Sequence, residues 1–446
     1  WNDTAPTSTN FTLGTNSWVN RSGDTYVAYL FAHNDGDGGF GPDGDADIIK
    51  CGSFTDNSSG WSVDLGFEPQ FLLAKRADST GNWEIVDTMR GFTADRSYTR
   101  LYPNLSNAEQ TVTKVGVNST GFFSTTAMET NGATIIYMAI RRGTKVPESA
   151  AEVFAPVITG QTNDPQSGFP TDLWWLKARN GPELHIIMDR MRGTQAYLSS
   201  DSTAAEGSNP LYYYNIDNMT GGFSNGGSYS QYVHWMWKRA PGFLDAVAYT
   251  GNGTTRNVSH NLGVAPEMMI VKSRGSGGTG WMYYHKDAGN TKALWVDSSV
   301  FNPPEFHTDS GWWANTTPSD TSFRLGINTN VNASNFTYIA YLFASLDGVS
   351  KVGSYTGTGN NVDVDCGFSS GARFVLIFRE DSASDIYVYD SERGIVSGVD
   401  PFLLLNKTDA EDAGNDGIDP LSSGFTVTSS SGLNTSGGTY LFYAIA

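Results

Sequence analysis

One polar motif recurs in this sequence, an aspartate followed three positions later by an arginine. A carboxylate beside a guanidinium can form a catalytic or ligand-binding pair, or a salt bridge that braces the end of a strand. In one related stretch His285 and Ala288 stand at the two positions, so the repeat does not require the pair. We therefore predict a structural role for the three copies. They are Asp87 with Arg90, Asp189 with Arg192, and Asp390 with Arg393.

A second candidate is an acidic stretch in which five aspartates lie among glycines. Hard oxygen ligands at such short spacing suit Ca²⁺. The stretch departs from an EF-hand loop, because position six counted from Asp43 is Ile48 instead of Gly, and position twelve is Phe54 instead of Glu. A Ca²⁺ site and a solvated acidic linker both remain open, and no other cofactor is indicated. The candidate metal ligands are Asp35, Asp37, Asp43, Asp45 and Asp47.

Aromatic side chains form the third group of candidates. Exposed Trp and Tyr faces can stack on sugar rings, whereas buried ones fill a core. Strand alternation places Trp235 and Trp237 on one face, which we predict to be buried. Trp174 and Trp175 are adjacent and point to opposite faces, which leaves one of them able to face solvent. The candidate ligand-binding residues are Trp174, Trp175, Tyr212, Tyr213, Trp312 and Trp313.

No recognisable catalytic constellation is present, so we predict that the protein is not an enzyme. The sequence lacks a GxSxG elbow, a P-loop and a dinucleotide fingerprint in a strand–turn–helix context. Its two cysteines, Cys51 and Cys366, lie far apart, and its six histidines are scattered, which argues against a zinc site. A carboxylate pair for glycosidic cleavage remains open, because the spacing of such a pair is spatial and not sequential.

The charge balance restricts the partners. Lys and Arg number 28 against 46 Asp and Glu, which gives a net charge of −18. This charge repels phosphate backbones and argues against nucleic acid as a partner. No apolar run approaches the roughly 20 residues that span a bilayer, so we expect no membrane partner.

The elements that position the candidates come from an imperfect internal repeat. The string LGFEPQFLLAK at 65–75 aligns without gaps with LGVAPEMMIVK at 262–272, and TYVAYLFA at 25–32 aligns with TYIAYLFA at 337–344. Because 1–33 match only a back half, we expect their strand partners to come from an earlier segment, a neighbouring copy or another chain. The divisions are the back half of a type-A repeat (1–33), an acidic Gly-rich linker (34–48), and repeats of type B (49–142), type C (153–239), type A (243–345) and type B (348–446).

The fold class follows from the local signals within each repeat. Short apolar segments rich in β-branched and aromatic residues are separated by turns that contain Asn and Gly. Repeats of roughly 95 residues suit a sandwich of seven or eight strands, and they exceed the roughly 40–50 residues of a propeller blade. We predict an all-β fold of tandem β-sandwiches, jelly-roll or concanavalin-like, with short turns and almost no helix.

Several strings resemble the repeated domain of marine bacteriophage tail and fibre proteins, an uncharacterised concanavalin-like repeat family. The similarity covers almost the whole chain. The type-C repeat departs most from the family, because it carries Trp174, Trp175 and three consecutive tyrosines. The strings are TYVAYLFAHND from Thr25, DIIKCGSFT from Asp47, LYPNLSNAE from Leu101 and HNLGVAPEMMIVK from His260.

The resemblance implies a virion structural protein on the particle surface, a tail fibre or fibre-like appendage used for host adsorption. The implied partners are other virion proteins, a host surface glycan or receptor, and further copies of the chain, with a trimer favoured. The family offers no catalytic residue to transfer. Two alternatives stay open: a cellular surface adhesin or extracellular filament subunit, and a virion-borne polysaccharide depolymerase.

Overall fold

The computed structural model of the protein describes residues 2–34, 36, 39–41, 44–160, 165–208, 230–275, 278–297 and 300–446. Nearly all regular structure in these residues is antiparallel β-sheet, which confirms the predicted all-β sandwich class. The described helices are single turns: α1 (Ser17–Asn20), α2 (Ser310–Trp313) and α3 (Thr329–Asn332), with 3-10 turns at Thr88–Arg90 and Ala150–Glu152.

The first type-B repeat, named unit B1, contains β1 (Ile49–Thr55), β2 (Trp61–Asp64), β3 (Pro69–Arg76), β4 (Trp83–Asp87), β5 (Ser97–Arg100), β6 (Gln110–Thr113), β7 (Val115–Asn118), β8 (Gly121–Ser124) and β9 (Thr134–Arg141). Its large sheet has the strand order β1-β9-β3-β4, and its small sheet has the order β2-β8-β7. Strands β5 and β6 form a separate hairpin.

The type-C repeat, named unit C, contains β10 (Phe154–Gly160), β11 (Leu173–Ala178), β12 (Ile186–Asp189), β13 (Ala196–Ser199), β14 (Gly207–Ser208) and β15 (Gln231–Trp237). These strands form one sheet in the order β10-β15-β11-β12-β13-β14.

The complete type-A repeat, named unit A, contains β16 (Leu244–Thr250), β17 (Arg256–Ser259), β18 (Met268–Ser273), β19 (Trp281–His285), β20 (Lys292–Asp297), β21 (Phe301–Thr308), β22 (Ser322–Leu325) and β23 (Thr337–Phe343). Its large sheet has the order β16-β23-β18-β19-β20-β21, and β17 pairs with β22 in the small sheet.

The second type-B repeat, named unit B2, contains β24 (Ser350–Thr356), β25 (Val362–Asp365), β26 (Phe374–Arg379), β27 (Tyr387–Asp390), β28 (Leu403–Leu404), β29 (Ile418–Leu421), β30 (Gly424–Val427) and β31 (Thr439–Ile445). Its sheets have the orders β24-β31-β26-β27-β28 and β25-β30-β29.

In all four units the last strand (the closing strand) lies between the first strand (the opening strand) and the strand that contains the apolar segment aligned between repeats. In unit A, β23 pairs with β16 on one side and with β18 on the other. In unit B1, β9 lies in the same way between β1 and β3. The strands that contain 71–75 and 268–272 therefore occupy equivalent positions, as their aligned sequences led us to expect.

The large sheets of units C, A and B2 pack against one another around a shared apolar core. Units A and B2 meet where the rings of Phe343 and Tyr443 lie 4.9 Å apart, centroid to centroid. Units C and B2 meet where the rings of Trp237 and Phe374 lie 5.6 Å apart. Units C and A meet where Nε1 of Trp281 donates to a backbone carbonyl of β13 at 2.8 Å. Each unit thus contacts both others, and we call this closed arrangement the triangle.

Candidate functional site

The Asp/Arg pairs form the corner at which the fourth strand of the large sheet ends, counted in sheet order. In unit C, the Arg192 guanidinium donates to the Asp189 carboxylate and to the carbonyl oxygen of Ile187 at 2.8 Å. The same carboxylate accepts from the backbone N–H of Arg192 at 3.0 Å, so it also caps the turn. Both side chains are 0% exposed. The pair is therefore closed off from any ligand in solution.

Two of these corners reach the closing strand of a neighbouring unit. The Tyr341 hydroxyl of unit A donates to Asp189 of unit C at 2.6 Å. Nε1 of Trp235 in unit C donates to Asp390 of unit B2 at 2.9 Å. At the third interface His285 of unit A takes the place of the aspartate, and its Nε2 lies 3.4 Å from a backbone carbonyl of β31. The corners therefore join the three units, which supports a structural role.

Charge pairing outweighs burial at the Arg192 corner. Burial by itself lowers the pKa of Arg192. The charges of Asp189, Tyr341 and Glu206 raise this pKa by a larger amount, so the net pKa is raised. The guanidinium therefore stays charged inside the protein, where it depends on its partners for stabilisation.

The structure corrects the prediction that Trp174, Trp175, Trp312 and Trp313 bind a ligand. Their exposed fractions are 0–2%, so they present no face to a sugar. Trp174 packs within its own unit, and Trp175 faces the core of the triangle. The two rings point to opposite faces of the sheet, and both faces are buried. Trp312 and Trp313 lie in α2 and fill the interior of unit A. Tyr212 and Tyr213 lie outside the described residues.

The acidic linker is described only in part. Asp35, Asp37 and Asp43 lie outside the described residues. Asp47 accepts from the backbone N–H of Gly36 at 2.9 Å, and it pairs with Lys50 at 3.4 Å. In the part of the chain that the structure covers, no three His, Cys, Asp or Glu side chains, Asp45 included, group as metal ligands. Ca²⁺ binding by the linker stays a prediction.

A cleft of about 450 Å³ lies between unit B1 and unit A. Its B1 wall belongs to the small sheet, where β2 begins with Trp61 and β8 carries Phe123. Its other wall belongs to unit A, where β16 carries Tyr249 and β17 carries Arg256. The cleft therefore combines aromatic rings with a cationic group. We call it the B1–A cleft.

Neighbouring rings fix the aromatic walls of the cleft. Trp61 packs on Phe54 with ring centroids 4.3 Å apart. Tyr249 is stacked on Tyr338 with a centroid distance of 5.2 Å and an interplanar angle of 11°. Trp61 and Tyr249 are only half-buried, and the guanidinium of Arg256 lies over Tyr249 at 5.5 Å. Trp61 can stack on the apolar face of a sugar from this position, whereas the Tyr249 ring is already covered by Tyr338 and by the Arg256 guanidinium.

The turn between β7 and β8 supplies polar groups and holds the two walls together. Oδ1 of Asn118 accepts from the backbone N–H of Thr120 at 3.0 Å, which fixes the turn. Nδ2 of Asn261 in unit A donates to the carbonyl oxygen of Ser119 at 2.8 Å. Hydroxyl and amide groups thus line the cleft at fixed positions, where they can hydrogen-bond to sugar hydroxyls.

The charges at the end of the cleft are paired. Arg274 donates to Asp95 at 2.8 Å and to Glu206 at 2.9 Å. Burial lowers the pKa of Arg274, but hydrogen bonds and charges from both carboxylates more than offset this effect, and the net pKa is raised. Among the described lining residues Asp95 is the one carboxylate.

Sequence reasoning did not single out the cleft residues. Tyr249 and Arg256 follow Trp61 by 188 and 195 positions, in another unit, so no local spacing joins them. The one local signal is Trp61 itself, a large aromatic that opens a strand directly after the glycine of a turn. A contact between units can be found only once the units are packed.

The fold and the cleft define an all-β protein of tandem sandwiches with a polar, aromatic cleft between two of its units. The chain belongs to the family described as a domain of unknown function, DUF7483, whose model matches residues 1–142 and 157–446. No curated protein matches the sequence. In the described ranges no helix is long and apolar enough to cross a bilayer.

Proposed function

We propose that the protein is a non-enzymatic structural protein of a bacteriophage particle, a tail fibre or fibre-like appendage, that binds host surface glycan in the B1–A cleft. The cleft is the observation that carries the binding proposal, because it combines Trp61, Tyr249 and Arg256 with a polar turn. The phage assignment is supported by the resemblance of the repeat strings to marine phage tail and fibre proteins.

The charge and architecture of the protein fit this function. The net charge of −18 opposes approach to anionic envelopes, so contacts with a cell must be short-range stacking and hydrogen bonding. The triangle supplies a stiff body that can carry the cleft outward. A homo-oligomer, for which we favour a trimer, would multiply weak contacts through effective concentration, and other virion proteins would anchor it at the particle surface.

Glycan binding by three variants tests the proposal. Surface polysaccharide from the host cell is titrated against the wild type, Trp61→Ala, Arg256→Ala and the control Trp83→Ala. Trp83 is also half-buried and also opens a strand of unit B1, but it lies outside the cleft, near Lys75. Truncating a central Trp typically costs about 2 kcal/mol, which is about 30-fold in affinity. We expect that loss in Trp61→Ala, a smaller loss in Arg256→Ala, and none in the control.

Two outcomes would overturn the proposal. Equal affinities for Trp61→Ala and Trp83→Ala would remove the cleft as the binding site. Shortened polysaccharide products after incubation with the wild type would replace adhesion by depolymerase activity. Repeating the titration with a chelator tests the acidic linker separately. If the chelator leaves glycan binding unchanged, Ca²⁺ at the linker does not contribute to binding, and the proposal for the cleft is unaffected.

A further inference from the structure

The B1–A cleft contains a cationic side chain that no carboxylate of the described part of the chain neutralises. Arg256 lines the cleft, and its guanidinium lies over the ring of Tyr249 at 5.5 Å. Its Nε atom is buried and has no hydrogen-bond partner among the described residues. The same side chain forms no salt bridge in that part of the chain. A ligand that reaches Arg256 therefore meets a positive charge without an internal counterion.

The second cation of the cleft is already neutralised. Nη1 of Arg274 donates to Asp95 at 2.8 Å, and its Nε and Nη2 donate to Glu206 at 2.9 and 2.7 Å. Every nitrogen of this guanidinium therefore has a carboxylate partner, and Asp95 is bound by Arg274 in return. Among the described lining residues, Arg256 is the cation that remains to pair with a ligand.

The indole of Trp61 adds a second hydrogen-bond donor to the same cleft. Its Nε1 atom is buried and, like Nε of Arg256, has no hydrogen-bond partner among the described residues. The indole N–H and the guanidinium can donate hydrogen bonds but cannot accept them. A carboxylate or a sulfate group offers only acceptors, and a hydrogen bond to a charged acceptor is stronger than one to a sugar hydroxyl. The donors in the cleft thus match a negatively charged ligand.

We propose that the B1–A cleft selects an acidic glycan, whose carboxylate or sulfate group pairs with Arg256 while a sugar ring stacks on Trp61. This inference rests on the proposed glycan-binding function and names the class of its ligand. The planar guanidinium can bind two oxygens of one oxyanion at once. The net charge of −18 opposes approach over distance, but salt screens it beyond about 10 Å, so it does not prevent an ion pair in direct contact.

Removing the anion from the ligand and the cation from the protein tests this pairing. Host surface polysaccharide is titrated against the purified full chain in three forms: native, carboxyl-reduced and desulfated. The proteins are the wild type, Arg256→Gln and the control Arg324→Gln. Arg324 is also half-buried and lies on β22 beside Arg256 on β17, but it donates to Asn257 and does not line the cleft.

The wild type and Arg324→Gln should lose about tenfold in affinity when the anion is removed, because a charge-assisted hydrogen bond is lost. Arg256→Gln should bind the native polysaccharide about tenfold more weakly than the wild type does, and removal of the anion should then have little further effect. Whichever treatment lowers wild-type binding, carboxyl reduction or desulfation, identifies the anionic group.

The possible failures can be told apart. Equal wild-type affinity for all three forms, with binding still lost in Trp61→Ala, would overturn the acidic ligand and leave glycan binding in the cleft intact. A loss on anion removal that is as large in Arg256→Gln as in the wild type would place the anion elsewhere and refute the role of Arg256. No binding of any form would remove the proposed function and this inference together. An unchanged urea midpoint verifies that Arg256→Gln is folded.

Discussion

Arg192→Ala should destabilise the protein strongly, because it removes a guanidinium from the interior of the triangle. The Arg192 side chain is 0% exposed and donates to Asp189, to Ile187 and to the Tyr341 hydroxyl. After truncation the Asp189 carboxylate still accepts from the Tyr341 hydroxyl. It has lost its countercharge, however, at a position where the side chain is 0% exposed.

The size of the effect follows from the difference in burial between two copies of the motif. Leaving a buried carboxylate without its partner costs about 3–5 kcal/mol. The equivalent Arg90 and Asp87 of unit B1 are 16% and 25% exposed, so water can reach the carboxylate after Arg90→Ala. That substitution should cost about 1 kcal/mol or less. The two variants should therefore differ by about 2–5 kcal/mol, a difference that reports burial in the triangle.

Urea unfolding at pH 7, followed by tryptophan fluorescence, compares the wild type with the two variants. The midpoint should fall far more in Arg192→Ala than in Arg90→Ala, and glycan affinity under native conditions should stay unchanged in both, because neither side chain lines the cleft. Equal midpoint shifts would refute the argument from burial. Lost glycan binding in a variant with unchanged unfolding would refute the structural role of the motif.

Three further predictions concern pH, core packing and one turn. Burial lowers the pKa of His234 to about 3 and that of His285 to about 4, whereas histidine in the unfolded chain takes up its proton near pH 6.5. The two neutral, buried histidines therefore contribute their full stability above about pH 6.5, and this contribution is lost as the pH falls toward 4. Urea midpoints between pH 7 and 4 should show the loss, with a flatter slope in His234→Gln; an unchanged slope would contradict it. Trp313→Ala should lower the free energy of unfolding by about 3–5 kcal/mol, measured by thermal or urea unfolding, without changing glycan affinity. A loss of affinity with unchanged stability would show instead that Trp313 contacts the ligand. Gly121→Ala should distort the β7–β8 turn, because an added Cβ would lie 1.9 Å from the carbonyl oxygen of Val63; wild-type folding and glycan affinity would contradict this.

The β class and the repeat could be predicted because their signals are local. The alternation of apolar residues and the Asn/Gly turns act over a few positions, and they recur in the strings at 65–75 and 262–272. The burial of Trp235 and Trp237 was predicted in the same way, from their shared strand face, and the structure confirms it.

The remaining features depend on contacts between units, which no local pattern encodes. Adjacent Trp174 and Trp175 suggested one exposed ring, but both are buried because neighbouring units cover the second face of the sheet. The B1–A cleft was not predicted from the sequence for the same reason, because Trp61 and Tyr249 come together only when two units pack. The unit-specific partners Tyr341 and Trp235 likewise lie far along the chain from the corners that they contact.

The closed triangle has a consequence for the order of events during synthesis. Unit B2 is the last of the three units to leave the ribosome, so units C and A emerge before the faces of Trp237 and Phe343 can be covered by Phe374 and Tyr443. Until those final residues are available, the nascent chain exposes two large apolar sheets that are prone to wrong pairing. A chain that stops before 348 would keep them exposed permanently. Completion of the last unit is therefore the step that converts an aggregation-prone intermediate into the closed triangle.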